Sequence, residues 1–195
     1  MLKEHIGSQS KQNKEVKTAI TPVLAKPRVF CKDESIDNNL LSKILDALDV
    51  EQEDLKTLER YGRGSPKHLG DGAPMWNDQL LAARRLVESG VRCVTVAYGF
   101  WDTHGNNFGQ LRERLPLFDQ GISALIEDIY QRGLDRDVTV VVWGEFGRTP
   151  KINPGAGRDH WARVNGALLA GGRMRVGQVL RSTDKMAGEA KSRPV

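Results

Sequence analysis

The sequence predicts an α/β fold, a three-layer α/β/α arrangement around a mainly parallel sheet. Two apolar runs carry the prediction: VRCVTVAY at residues 91–98 and DVTVVVW at 137–143. Both place β-branched side chains on both faces, the pattern of strands covered by helices on either side. Helices with a single apolar stripe precede and separate these runs, so strand and helix alternate as in βαβ units.

The elements follow in order. Residues 1–38 scatter Lys, Ser, Gln and Pro among short apolar runs such as AITPVLA, and read as a poorly ordered arm. The α/β domain occupies residues 39–195. It opens on NLLSKILDALDVEQEDLKTLERYG, where Leu41, Ile44, Leu45 and Leu48 stand at helical spacing and Asp49–Val50 marks the start of a second helix. GRGSPKHLGDGAP, residues 62–74, is rich in glycine and proline and reads as a linker, since its glycines match no phosphate-binding spacing. WNDQLLAARRLVESG places Leu80, Ala83 and Val87 on one helical face and ends at Gly90. The strand at 91–98 follows, then a helix over 115–132 striped by Leu115, Phe118, Ile122, Leu125, Ile126 and Ile129 and stopped by Gly133. After the strand at 137–143, VNGALLAGG and VGQVL suggest a further helix or strand pair.

Composition narrows the function classes. The chain has 195 residues, 39% hydrophobic and 28% charged, as an ordinary soluble domain has. It has no run of about 18 apolar residues and no leading apolar segment, so neither a membrane span nor a secretion signal is expected. The net charge of +4 is spread along the chain, and the basic arm lacks interleaved aromatics, which disfavours nucleic acid as a partner. Cys31 and Cys93 are too few for a disulfide framework, and Cys93 reads as a small buried residue. Localisation and oligomeric state stay open.

In a parallel sheet the loops after each strand gather along one edge, and ligands bind there. FWDTHGNN therefore brings Asp102 and His104 to the rim that GEFGRTP reaches with Glu145 and Arg148. GRDHW adds Asp159 and His160 from a returning loop. Carboxylates and imidazoles converging in this way suit a divalent metal, with Asp102, His104, Glu145 and His160 as ligands and Asp159 holding the second nitrogen of a histidine. Each residue also has a plainer role. Asp102 can cap a turn, His104 can be a half-buried turn residue, and Glu145 can pair with Arg148. His5 and His68 read as solvated. Trp101, Trp143 and Trp161 adjoin the site loops, either as crevice walls or as core.

Four stretches in order, RRLVESGVRCVTVAYGFWDTHGNNF, LPLFDQGISALIEDIYQRGLDRDVTVVVWGEFGRTPKIN, GRDHW and LLAGGRMRVGQV, resemble the bacterial domain-of-unknown-function 1501 family, abundant in planctomycetes. The resemblance runs from Trp76 to Val195, and residues 1–38 do not share it. It implies membership of the alkaline phosphatase and sulfatase superfamily, with the DTH pair and the late histidine as ligands to a divalent metal (zinc, manganese, iron or calcium). Glu145 would be the acidic ligand after the later strand, with Phe146 where the superfamily often has a histidine. Arg148 would contact an oxygen of an anionic ester substrate. The superfamily's nucleophile and early metal-binding aspartate have no counterpart here, so the resemblance implies a C-terminal portion of such a protein. The expected function is a sulfatase- or phosphatase-like module acting on sulfate or phosphate esters. The competing expectation is a non-catalytic binding module of the same fold.

Overall fold

The computed structural model describes residues 38–70 and 72–191, which fall into two compact units. One contains residues 38–100 and 120–125, the other 101–119 and 126–191. Of the arm expected at residues 1–38, all but Asn38 lies outside the described residues.

The first unit holds most of the buried apolar side chains. Helix α1 (Asn38–Leu48) buries Leu41 and Ala47, and a 3₁₀ turn follows at Val50–Gln52. Helix α2 (Leu55–Tyr61) is capped by Asp54, whose carboxylate accepts from the Thr57 N–H at 3.0 Å and the Thr57 hydroxyl at 2.8 Å. The glycine-rich stretch is more than a linker. It pairs β1 (Gly64–His68) antiparallel with β2 (Pro74–Trp76), because glycine and proline at the turn do not prevent short flanking strands. Helix α3 (Asp78–Glu88) buries Leu80, Leu81, Ala82 and Leu86. It ends where the sequence expects: Gly90 takes a positive φ of 99° and the Val91 N–H donates to the Leu86 carbonyl.

Polar groups brought into this core are matched. Glu53 receives both Arg84 at 2.9 Å and Arg85 at 2.6 Å. Burial disfavours its charge, yet the hydrogen bonds of Arg85 and Arg84 outweigh that and hold its carboxyl below the usual range. Asn77, fully buried, donates to the Tyr61 carbonyl at 2.7 Å and accepts from the Tyr98 hydroxyl at 2.6 Å. Burial pushes the Tyr98 phenol up to about 12.

Residues 91–98 form no strand. From Cys93 to Tyr98 the side chains alternate between exposed and half-buried, the period of an extended chain, but no ladder partner makes them a strand. The expected parallel pairing with 137–143 is therefore not formed among the described residues. Cys93 is exposed rather than buried, since no described residue covers its face of the segment.

The second unit carries the later elements. Helix α4 (Asn107–Gln131) begins eight residues before the expected start and continues through Pro116, whose missing N–H leaves one turn without its bond. Asn107 opens the helix with its buried side chain accepting from the Thr103 hydroxyl at 2.5 Å. Gly133 closes it, with φ at 69° and the Leu134 N–H donating to the Ile129 carbonyl. Strand β3 (Thr139–Trp143) pairs antiparallel with β6 (Ala167–Gly171), Val141 opposite Leu169. The stretch VNGALLAGG thus contains a strand, whereas VGQVL does not. Between them, β4 (Gly147–Arg148) pairs antiparallel with β5 (His160–Trp161).

The double-sided burial expected of β3 is absent. Val141 is 42% exposed, Trp143 66% and Leu169 53%, and among the described apolar residues of this unit only Ile129 and Ala170 are buried. The described residues are accordingly mixed helix and strand, with three small two-stranded antiparallel sheets among them. No helix among the described residues is long and apolar enough to cross a membrane.

Candidate functional site

Two loops of the second unit are stitched together by their backbones. The 101–107 loop gives the Thr103 carbonyl to the Arg158 N–H at 3.0 Å, while Asn106 and Asn107 N–H donate to Gly155 and Ala156 carbonyls at 2.9 Å each. Asn153 locks the returning loop. Its amide nitrogen donates to the His104 carbonyl and to Asp159, both at 3.0 Å, and its oxygen accepts from the Gly155 and Gly157 N–H groups. Gly157 has to be glycine here, because a Cβ would lie 1.9 Å from the His104 carbonyl oxygen. The β4–β5 ribbon then places Arg148 opposite His160.

These supports bring three of the four expected ligands together. Asp102, His104 and His160 each offer an atom within 4.8 Å of the others. Asp102 Oδ1 lies 3.0 Å from His104 Nε2 and 2.9 Å from His160 Nε2, and the two Nε2 atoms are 3.2 Å apart. His104 Nδ1–H donates to Asp159 at 2.9 Å, so Asp159 sets the ring so that Nε2 faces the cluster. Phe146 lies against His160 with ring centroids 4.3 Å apart. Glu145 is exposed and stands outside the cluster, without an ion pair among the described residues. Arg148, which the sequence allows to pair with Glu145, reaches Asp102 Oδ1 at 2.6 Å instead.

The carboxyls respond to these neighbours. The hydrogen bond from His160, joined by that from Arg148, holds Asp102 below the usual carboxylate range. The His104 hydrogen bond, then that of Asn153, does the same for Asp159.

The donor set fits a divalent cation. Donors about 2.0–2.2 Å from an ion at the tetrahedral angle stand about 3.3–3.6 Å from one another, a few tenths beyond the separations found here. With Nδ1 turned to Asp159, Nε2 is the His104 nitrogen that faces Asp102 Oδ1 and His160. The neighbouring hydroxyls are committed elsewhere. Thr103 is buried and donates to Asn107, and Thr149 donates to the Lys151 carbonyl at 2.8 Å.

Sequence reasoning missed Asn153 and Gly157, and named Phe146 only as standing in place of a histidine. The turn-forming NPGAG run that ties down GRDHW was the signal available for the first two. Of the tryptophans, Trp101 packs edge-on against Phe118 at 5.7 Å and Trp161 donates to the Gly188 carbonyl at 2.8 Å. Trp143 is neither core nor crevice wall, since it is mostly exposed.

Comparison with curated proteins and with solved structures finds no match. The family model described as "Protein of unknown function (DUF1501)" matches residues 2–195, so it takes in the arm and the helices before Trp76 that the sequence motifs leave out. The chain, from its basic arm through the Asp102–His104–His160 cluster, belongs to the DUF1501 family.

Proposed function

We propose that this chain carries the metal-binding module of a hydrolase acting on sulfate or phosphate esters. The observation that supports it is the three-atom cluster of Asp102 Oδ1, His104 Nε2 and His160 Nε2, with the far nitrogen of His104 held by Asp159. A divalent cation, with zinc, manganese, iron and calcium the candidates, would supply Lewis-acid polarisation of an ester oxygen. The protein's part is to aim the ligands: Asp159 and Asn153 hold His104, the β4–β5 ribbon holds His160, and Arg148 supplies a guanidinium for an anionic oxygen. Glu145, exposed just before β4, remains in this reading as a ligand that joins when the ion binds.

The finer family assignment belongs to the same reading. The module is that of the alkaline phosphatase and sulfatase superfamily, a C-terminal portion whose three-layer, mainly parallel sheet is completed by further strands. The exposed apolar face of Val141, Trp143 and Leu169 supports this, since a covered sheet would bury it. One observation favours a second reading, a binding module without chemistry: the hydroxyls of Thr103 and Thr149 beside the cluster already have partners and neither is free to attack.

Metal analysis of the purified chain, then calorimetric titration with Zn²⁺ and Mn²⁺, tests the first reading. About one equivalent should bind to the wild type and none to His104→Ala. Equal uptake by both proteins, or no uptake, removes the reading. Hydrolysis of aryl phosphate and aryl sulfate by the metal-loaded chain separates the hydrolase from the binding module.

A further inference from the structure

Asp102 Oδ1 is crowded. An oxygen with two lone pairs faces Arg148 Nη2 at 2.6 Å, His160 Nε2 at 2.9 Å and His104 Nε2 at 3.0 Å. The closest of the three is a fixed positive charge, and it sits on the carboxylate oxygen that also faces both histidines. A guanidinium and a divalent cation repel each other at such a separation, so an arriving ion weakens the guanidinium's hold on this oxygen.

We propose that Arg148 is a displaceable counter-cation. It holds Asp102 while the site is empty, leaves when a divalent ion arrives, and then grips an oxyanion, so that metal and oxyanion bind cooperatively through one side chain. The proposal rests on the metal-site reading above and adds to it a coupling between two ligands.

Four observations support the exchange. Among the described residues the tie to Asp102 is the only close one Arg148 makes, since its Nη1 reaches the Arg158 carbonyl at 3.3 Å, near the limit of a hydrogen bond. Both partners face solvent, at 23% and 41% side-chain exposure, so the guanidinium can swing away without being desolvated anew. The Phe146 ring lies under it, 5.9 Å from the guanidinium carbon, a platform over which a planar cation can shift while keeping contact. The neighbouring Arg158 cannot take its place, because its Nη1 is bound to the Thr149 carbonyl at 2.6 Å and the Pro150 carbonyl at 2.7 Å.

Charge explains why the second ligand is an anion. Asp102 and Asp159 with Arg148 carry one negative charge in excess, and a dication converts that to one positive charge in excess, or to neutrality once Glu145 joins as a ligand; in either case Arg148 gives up its carboxylate partner. The loaded site, with Arg148 released, therefore attracts a tetrahedral oxyanion such as sulfate, phosphate or their monoesters, which the guanidinium fork matches.

Calorimetric titration with Mn²⁺, with and without millimolar sulfate, tests this on the wild type, Arg148→Met and Arg148→Gln. Removing the competing cation should tighten Mn²⁺ binding in sulfate-free buffer by about two- to fivefold, the range expected for a solvent-facing ion pair. Sulfate should tighten Mn²⁺ binding to the wild type and have no effect on either variant. Arg148→Gln keeps a hydrogen-bond donor towards Asp102 without the charge, and provides the reading should Arg148→Met not fold. Variants that bind Mn²⁺ no more tightly than the wild type overturn the proposal, as does a sulfate effect that survives in them. If neither the wild type nor the variants take up metal, the site reading falls and this proposal with it.

Discussion

At the scale of single residues, Asn153 does more for the site than any expected ligand does for its own position. One amide holds the His104 carbonyl, Asp159 and two backbone N–H groups. Asn153→Ala should weaken metal binding by about 10-fold or more through loss of ligand orientation, seen by calorimetry. Gly157→Ala drives a methyl into the His104 carbonyl and should destabilise the loop by about 1–3 kcal/mol, with faster amide exchange at 103–107. The depressed carboxyls make a pH prediction. Asp102 and Asp159 titrate below their unfolded value of about 3.9, so their contribution to stability is fully present above that pH. It is lost as pH falls through the depressed values. Carboxyl ¹³C titration should place both midpoints below those of the denatured chain, and Asn153→Ala should bring that of Asp159 back towards it.

At the scale of elements, what was legible in the sequence was whatever local periodicity decides. The later part of the α4 stripe, Ile122, Leu125 and Ile129, is buried as the pattern puts it, although Leu115 is exposed, and the stop glycines Gly90 and Gly133 fall where expected, because helix faces and left-handed caps are set within a few residues. Strand pairing is set by partners far along the chain, so the double-sided apolar runs at 91–98 and 137–143 could not reveal that one has no ladder among the described residues and the other turns to β6. The candidate site was legible as residue types, Asp102, His104 and His160, but not as geometry. Nothing in GEFGRTP shows that Arg148 goes to Asp102 while Glu145 faces solvent. Two measurements probe the elements. Val141→Thr on the exposed β3 face should cost under about 0.5 kcal/mol in denaturant unfolding, and a loss several times larger would mean that the face is covered. Glu53→Ala removes the carboxylate shared by Arg84 and Arg85, and should cost about 3–5 kcal/mol, read as a large fall in melting temperature.

At the scale of the whole molecule, the two units differ in what holds them. The first is built on packed side chains of α1, α2 and α3, whereas the second buries little apolar surface and relies on backbone stitches around its cluster. The bond from His104 to His160 spans 56 positions of chain. An ion seated there would act as a cross-link, tying off a loop of that length in the unfolded chain. By the chain-entropy argument for disulfides, a permanent link of that span is worth about 4 kcal/mol, an upper bound for a reversible one. For a unit with so thin an interior, losing the ion and losing the fold would become a single event. Its melting temperature should then climb with the logarithm of free metal concentration and drop on adding a chelator.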